Sequence, residues 1–255
     1  MNDILRQVSV LITVLGAIFI NFLANALPLN GLNTGQISDR FQVYFVPAGY
    51  VFSIWGLIYL GLVAFAVYQT LPSQRHNPRL RAAGWWVGLS GLANSAWIFL
   101  WHYEQFPLTL AAMLLLLLSL MLVYLGLRSG SEPVSQAEMW AARLPFSIYL
   151  GWITVATIAN ITSLLDYLSW DGFGLASETW FILVLAAVLL IAALVSFTRR
   201  DAAFILVILW ALAGIAVKHA GVPLVANATW IAFLLVALAL AAALLNARRP
   251  QAQAS

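Results

Sequence analysis

Eight long apolar stretches divide the chain, at residues 8–28, 46–71, 83–102, 106–127, 144–165, 179–198, 202–220 and 222–246. Seven of them contain no Asp, Glu, Lys or Arg, and the seventh carries one charge, Lys218, near its end. A hydrocarbon core of roughly 30 Å is crossed by about 20 apolar residues in a helix. Lipid offers a backbone almost no other way to satisfy its hydrogen bonds. The predicted fold class is therefore all-α, a polytopic transmembrane bundle of eight helices.

Composition narrows this further. Hydrophobic residues make up 63% of the 255 and charged residues 8%, against about 25% charged in soluble domains. The loops are too short for a separate soluble domain. Cysteine is absent, which removes disulfides, thiolate nucleophiles and thiolate metal ligands. The formal charge of +3 gives no basic cluster dense enough for nucleic acid; it bears on orientation instead. Lys and Arg favour the cytoplasmic side of short loops. With the N-terminus inside, Arg6, Arg75, Arg79, Arg81, Arg128, Arg143, Arg199, Arg200, Arg248 and Arg249 fall inside, and Arg40 and Lys218 outside. That alternation supports eight spans independently of hydropathy. It places both termini in the cytoplasm, with the bacterial cytoplasmic membrane as the expected location. The start of the chain, with Arg6, an apolar stretch and Ala24-Asn25-Ala26, also has the outline of a secretory signal. Its apolar stretch is longer than most signal cores, and it is taken as the first helix.

Aromatic and amide residues recur at helical spacing on three of the stretches. Phe52, Trp55 and Tyr59 line up on the second. Ser90, Asn94, Trp97 and Trp101 do so on the third, and Tyr149, Trp152, Ala156 and Asn160 on the fifth. At about 1.5 Å of rise per residue, Trp55, Asn94 and Ala156 all come to roughly 14 Å from the outer surface, with Trp152 one turn deeper. Two readings stay open. Asn94 and Asn160 can be interhelical hydrogen-bond glue among packed aromatics. They can equally be the polar groups of a flat, uncharged pocket for a large planar lipophile. Trp85, Trp86, Trp101 and Trp180 sit where interfacial anchors belong. The polar, glycine-bearing loop 29–45 is either a cover over a site or a plain connector.

Tyr149-Leu-Gly-Trp-Ile-Thr-Val-Ala-Thr-Ile-Ala-Asn160, Asn94-Ser-Ala-Trp97, and Pro47 followed by Trp55 and Tyr59 resemble, in order, the fifth-, third- and second-helix patterns of the tryptophan-rich sensory protein (TspO/MBR) family, which includes the mitochondrial translocator protein. In that register Val46 stands in place of a Pro, and Gly49 and Val51 in place of Trp and Phe; Ile148 replaces another Pro. The resemblance covers residues 1–165 as a five-helix bundle. It leaves 166–246 as three additional transmembrane helices and 247–255 as a disordered cytoplasmic tail. It implies an intramembrane pocket for porphyrins, sterols or benzodiazepine-type compounds under the first long loop. Carried over by position, Pro47, Trp55, Tyr59, Asn94, Trp97, Tyr149, Trp152 and Ala156 would line it. Dimers would match the resemblance.

The remaining chemistry is sparse. His76, His102 and His219 show no His-x-x-x-His or Glu-x-x-His spacing, so no metal site is expected. His102 is an interfacial residue or, alternatively, an axial haem ligand. No serine has an intramembrane base beside it, so no catalytic residues are expected. Gly84, Gly88, Gly91 and Ser95 give the third helix a small-residue face for packing within the bundle or between protomers. The expected function is a receptor or sensor, not an enzyme. It would bind a porphyrin-like hydrophobic small molecule in the bilayer, with no resident cofactor; porphyrin or haem would be the ligand. The alternatives are a facilitative transporter of such lipophiles and a porphyrin-degrading enzyme. Ion-coupled transport fits poorly with the missing mid-membrane charges.

Overall fold

The computed structural model describes residues 3–27 and 29–248. The tail 247–255 lies outside the described residues apart from the backbone of 247 and 248, as does Pro28. The helices are α1 (Asp3–Ala26), α2 (Thr34–Ser38), α3 (Ile54–Thr70), α4 (Pro78–His102), α5 (Phe106–Leu127), α6 (Leu144–Tyr167), α7 (Ser177–Arg199), α8 (Ala202–Lys218) and α9 (Pro223–Arg248). All but the short α2 correspond to the eight apolar stretches. A single π-helical turn, Met139–Arg143, leads into α6.

Six segments are long and apolar enough to cross a membrane: Asp3–Ala26, Gly49–Thr70, Phe106–Leu127, Gln136–Tyr167, Ser177–Arg199 and Pro223–Asn246. The chain is an integral, multi-pass membrane protein. The other two long helices depart from the even expectation of eight equivalent spans. Helix α8 has only 17 residues, and α4 is diluted by Gly84, Gly88, Ser90, Gly91, Asn94 and Ser95. Both are packed mainly by protein, so protein neighbours rather than lipid set their composition.

Helix α1 packs on α3 and α4, α4 on α5, α5 on α6, and α6 back on α3, which closes a five-membered ring. The small-residue face of α4 lies against α1. A Cβ on Gly91 would meet the Thr13 carbonyl oxygen at 2.8 Å, and one on Gly84 would meet Arg6 Cδ at 2.8 Å. This face therefore serves packing within the chain. Outside the ring, α8 packs on α6, and α9 covers both α8 and α7.

Contacts at the two ends show that successive long helices alternate in direction. At the end with the N-terminus, the buried Arg6 donates to the carbonyls of Leu80 and Arg75, and Arg79 pairs with Glu138. Arg128 pairs with Asp201 there, which also accepts from Tyr124 and Ser147 and caps α8 through the Phe204 N–H. At the opposite end, called here the loop end, Arg40 pairs with Glu104 and Lys218 with Asp39.

Helix α8 reaches past α6 to the start of α3. Pro47 leaves that start non-helical until a 3-10 turn at Gly49–Ser53, and α8 supplies its missing partners. The Ala48 N–H donates to the Gly214 carbonyl at 3.2 Å, and the Trp210 indole N–H donates to the Val51 carbonyl at 3.1 Å. The approach leaves no room for a side chain at 214, where a Cβ would come within 2.1 Å of Val51 Cγ2. Gly214→Ala is expected to destabilise the fold by ~1–3 kcal/mol, the usual cost of overpacking. Adding Val51→Ala should recover part of the loss. Thermal unfolding of both variants in detergent checks this.

Candidate functional site

The aromatic stripes meet between α3, α4, α5 and α6. Pro47, Phe52, Trp55, Asn94, Trp97, Trp152 and Ala156 line one cleft there. Trp152, on α6, meets Trp55 edge to face at 6.3 Å between ring centroids and Phe52 at 5.7 Å. Trp97 stacks on Trp101 at 5.3 Å. The shared depth estimated from helical rise thus brings Trp55, Asn94 and Ala156 to one place. Tyr59 and Tyr149 are beside the cleft rather than in its wall. Tyr59 stacks on Trp55 at 5.5 Å, and Tyr149 meets the same indole at 5.9 Å.

The amides serve as interhelical glue and also line the cleft. Asn21 of α1 donates from Nδ2 to Asn94 Oδ1 and to the Ala17 carbonyl. The carbonyl fixes Asn21 as the donor, so Asn94 must present its oxygen to α1 and its Nδ2 elsewhere. Among the described residues the indole N–H groups of Trp97 and Trp152 have no acceptor, and that Nδ2 has none in good geometry, with only the Tyr149 phenol beside it. Asn160 pairs with Thr109 of α5, its Nδ2 donating to Thr109 Oγ1 at 3.1 Å. Among the described residues, the wall therefore carries three buried N–H donors without a well-formed hydrogen bond and no charged side chain.

The slot foreseen between the rings is mostly closed. Its free volume is ≈ 40 Å³, whereas pockets for drug-sized ligands run from about 300 to 1,000 Å³. A larger vestibule of ≈ 420 Å³ adjoins it toward the loop end, lined by Asn21, Asn25, Asn33, Gln36 and Tyr59 among others. Thr34, Phe52 and Trp55 line both spaces, so these side chains form the partition. Trp55 is only partly buried.

Loop 29–45 is a fastened cover. Its short helix α2 begins with a capping box: Asn33 accepts from the Gln36 N–H, and the Gln36 side chain accepts from the Asn33 N–H. Thr34 and Ser38 then face the cleft. The rest of the loop is stitched to four different segments. Arg40 reaches Glu104, the Gln42 N–H donates to Asp166, Tyr44 donates to Glu178 at 2.8 Å, and Asp39 pairs with Lys218. The Glu178 carboxylate beside it pushes the Tyr44 phenol above its usual range.

Two residues were misplaced by sequence reasoning. Trp101 is no interfacial anchor: it is 4% exposed, and its indole donates to the Thr34 carbonyl at 3.2 Å. Helix α4 ends in protein, under the loop. For the same reason His102 is 1% exposed, with Nε2 on Thr34 Oγ1 and Nδ1 on the Leu29 carbonyl. Both ring nitrogens are engaged, so His102 holds the cover and offers no free nitrogen to a haem iron. Thr34, Ser38, Met113 and Ser163 also line the cleft. No motif pointed to them; the stripe spacing reached only the aromatic and amide positions.

A family model described as TSPO-like protein matches residues 7–242. The chain belongs to the TSPO-like protein family. The match runs well into α9, so it takes in the three helices beyond the ring, which the sequence patterns over 1–165 left out. No curated protein and no solved structure gives a significant match.

The paired amides allow a direct test of what holds this TSPO-like ring together. Asn21→Leu strands the Asn94 oxygen and is expected to cost ~1–3 kcal/mol. The double variant Asn21→Leu/Asn94→Leu should be closer to wild type, because both polar partners are gone. Chemical unfolding of the three proteins in one detergent gives the comparison.

Proposed function

We propose that this protein is a receptor for a planar, porphyrin-like lipophile that carries hydrogen-bond acceptors, bound between α3, α4 and α6 beneath loop 29–45. The observation that carries this reading is the set of three orphan donors, Asn94 Nδ2, Trp97 Nε1 and Trp152 Nε1, in an uncharged aromatic wall. A buried N–H without a partner costs about 1–3 kcal/mol. A flat ligand with acceptors would satisfy such donors while its faces lie on the indoles.

Entry is through the vestibule. Turning Phe52 and Trp55 out of the partition joins it to the cleft, and the combined space falls in the range of small-molecule pockets. The four amide residues of the vestibule wall, Asn21, Asn25, Asn33 and Gln36, suit polar groups on one edge of such a ligand. We read the role as binding rather than catalysis: Thr34, the wall hydroxyl that meets His102, fastens the cover to α4. The position of the arginines favours both termini inside, and we place the chain in the bacterial cytoplasmic membrane. A homodimer would match the resemblance to sensory-protein relatives.

Protoporphyrin quenching of tryptophan fluorescence in detergent tests the proposal. Trp152→Ala is expected to weaken binding at least tenfold with the bundle intact. Trp152→Phe, which keeps a ring but loses the N–H, should lie between the two. An affinity that does not change in Trp152→Ala would sink the reading.

A further inference from the structure

A second cavity, ≈ 370 Å³, opens between the loop-end halves of α6 and α7, on another face of α6 from the aromatic cleft. Its lower part is hydrocarbon: Ile158, Ile161, Val184 and Ala187. Ile161 and Ala187 are exposed, so this part faces the bilayer. Its upper part is lined by Trp170, Trp180, Asp166 and Asp171.

The upper part is pre-shaped. Trp170 and Trp180 lie 4.8 Å apart, tilted by 59°. The Trp180 indole donates to the Gly172 carbonyl at 2.7 Å. Gly172 has φ +64, and a Cβ there would come within 2.9 Å of Trp180 Nε1. Only glycine meets both demands without strain, and it sets the Trp180 ring against the groove.

Charge decides what fits. No Lys or Arg lines the groove. At the loop end Arg40 is taken by Glu104 and Lys218 by Asp39. Asp166 and Asp171 each accept one backbone N–H, from Gln42 and Phe173. Glu178, behind Tyr44, accepts a phenol O–H. Among the described residues none of these three carboxylates has a basic partner. Their negative charge is left uncompensated around an indole pair.

We propose that this groove binds an alkylammonium amphiphile, with its chain between α6 and α7 and its cationic head among Asp166, Asp171, Trp170 and Trp180. Ammonium and quaternary ammonium groups are attracted to indole faces and to carboxylates together. The same charge pattern disfavours a phosphate beside the ammonium, which would meet two carboxylates and no cation. The groove is built partly from α7, outside the five-helix ring, so the site needs the additional helices.

Equilibrium binding of radiolabelled dodecyltrimethylammonium to the full chain in phosphatidylcholine nanodiscs, with empty discs subtracted, tests the assignment. Saturable binding is expected. Dodecanol and dodecylphosphocholine should compete at least tenfold less well than unlabelled dodecyltrimethylammonium. Asp166→Asn/Asp171→Asn keeps the hydrogen-bond acceptors and should weaken binding at least tenfold. Ala187→Trp fills the hydrocarbon part and should abolish it. No saturable binding, equal competition by the neutral or phosphate-bearing compound, or wild-type affinity in either variant would each overturn the proposal. Should the double variant not fold, the competition series and Ala187→Trp decide.

Discussion

A carboxamide buried in a bundle that lipid surrounds has to find its partner inside the protein, and the arrangement of this ring follows from how two of them do so. Asn94 binds Asn21 and so joins α4 to α1; Asn160 binds Thr109 and joins α6 to α5. An unmet amide at this depth would cost about 1–3 kcal/mol, comparable to a sizeable core substitution. The two pairs hold opposite sides of one ring, and the cleft lies between them. Asn94 has two polar ends and only its oxygen is used. The glue itself therefore leaves a donor over, and the proposed binding role starts from that donor.

The start of α3 obeys the same rule. Pro47 and the 3-10 turn after it leave backbone groups that no helix of the ring satisfies, and α8 answers them through Gly214 and Trp210. This accounts for the small residue at position 51, though not for Gly49, where an added Cβ would meet nothing within 4 Å. Val51 lies against Gly214, and a Phe at that position would occupy the path of α8. The three helices beyond the ring are thus tied to the wall of the cleft as well as to α6. Gly151 provides the second close approach, where a Cβ would meet the Phe204 carbonyl oxygen at 3.0 Å.

The sequence made the helices legible because lipid allows few alternatives, and residues such as Leu114–Leu118 have nowhere to go but a span. It made part of the cleft legible because helical rise is regular: Trp55, Asn94 and Ala156 could be placed at one depth without knowing the packing. Trp101 and His102 failed on a different point. Hydropathy sees the end of an apolar stretch as an interface, whereas here loop 29–45 folds over that end and buries both side chains. Loop contacts such as Arg40 with Glu104 and Tyr44 with Glu178 join positions far apart in the chain, and periodicity carries no information about them. The polarity of α4 is the converse case. Its glycines, serines and asparagine look weak for a span, yet the glycines let α1 approach closely.

Closure of the cleft sets the energetic terms on which any ligand would bind. Edge-to-face and stacked ring pairs contribute about 0.5–1.5 kcal/mol each beyond the area they bury. Trp152 makes two such contacts across the cleft, with Phe52 and Trp55. Three orphan donors act in the opposite sense at about 1–3 kcal/mol each. The donor side is the larger, about 3–9 kcal/mol in total against about 1–3 for the ring pairs, so the empty cleft stands to gain from an occupant that supplies both acceptors and a flat face. A purely hydrocarbon guest would have to break the ring contacts without satisfying the donors. It would have no comparable compensation beyond its own burial. On the proposed reading, selection for acceptor-bearing planar molecules is therefore a consequence of the unpaired N–H groups, and a cleft of the same shape without them would select for greasiness alone.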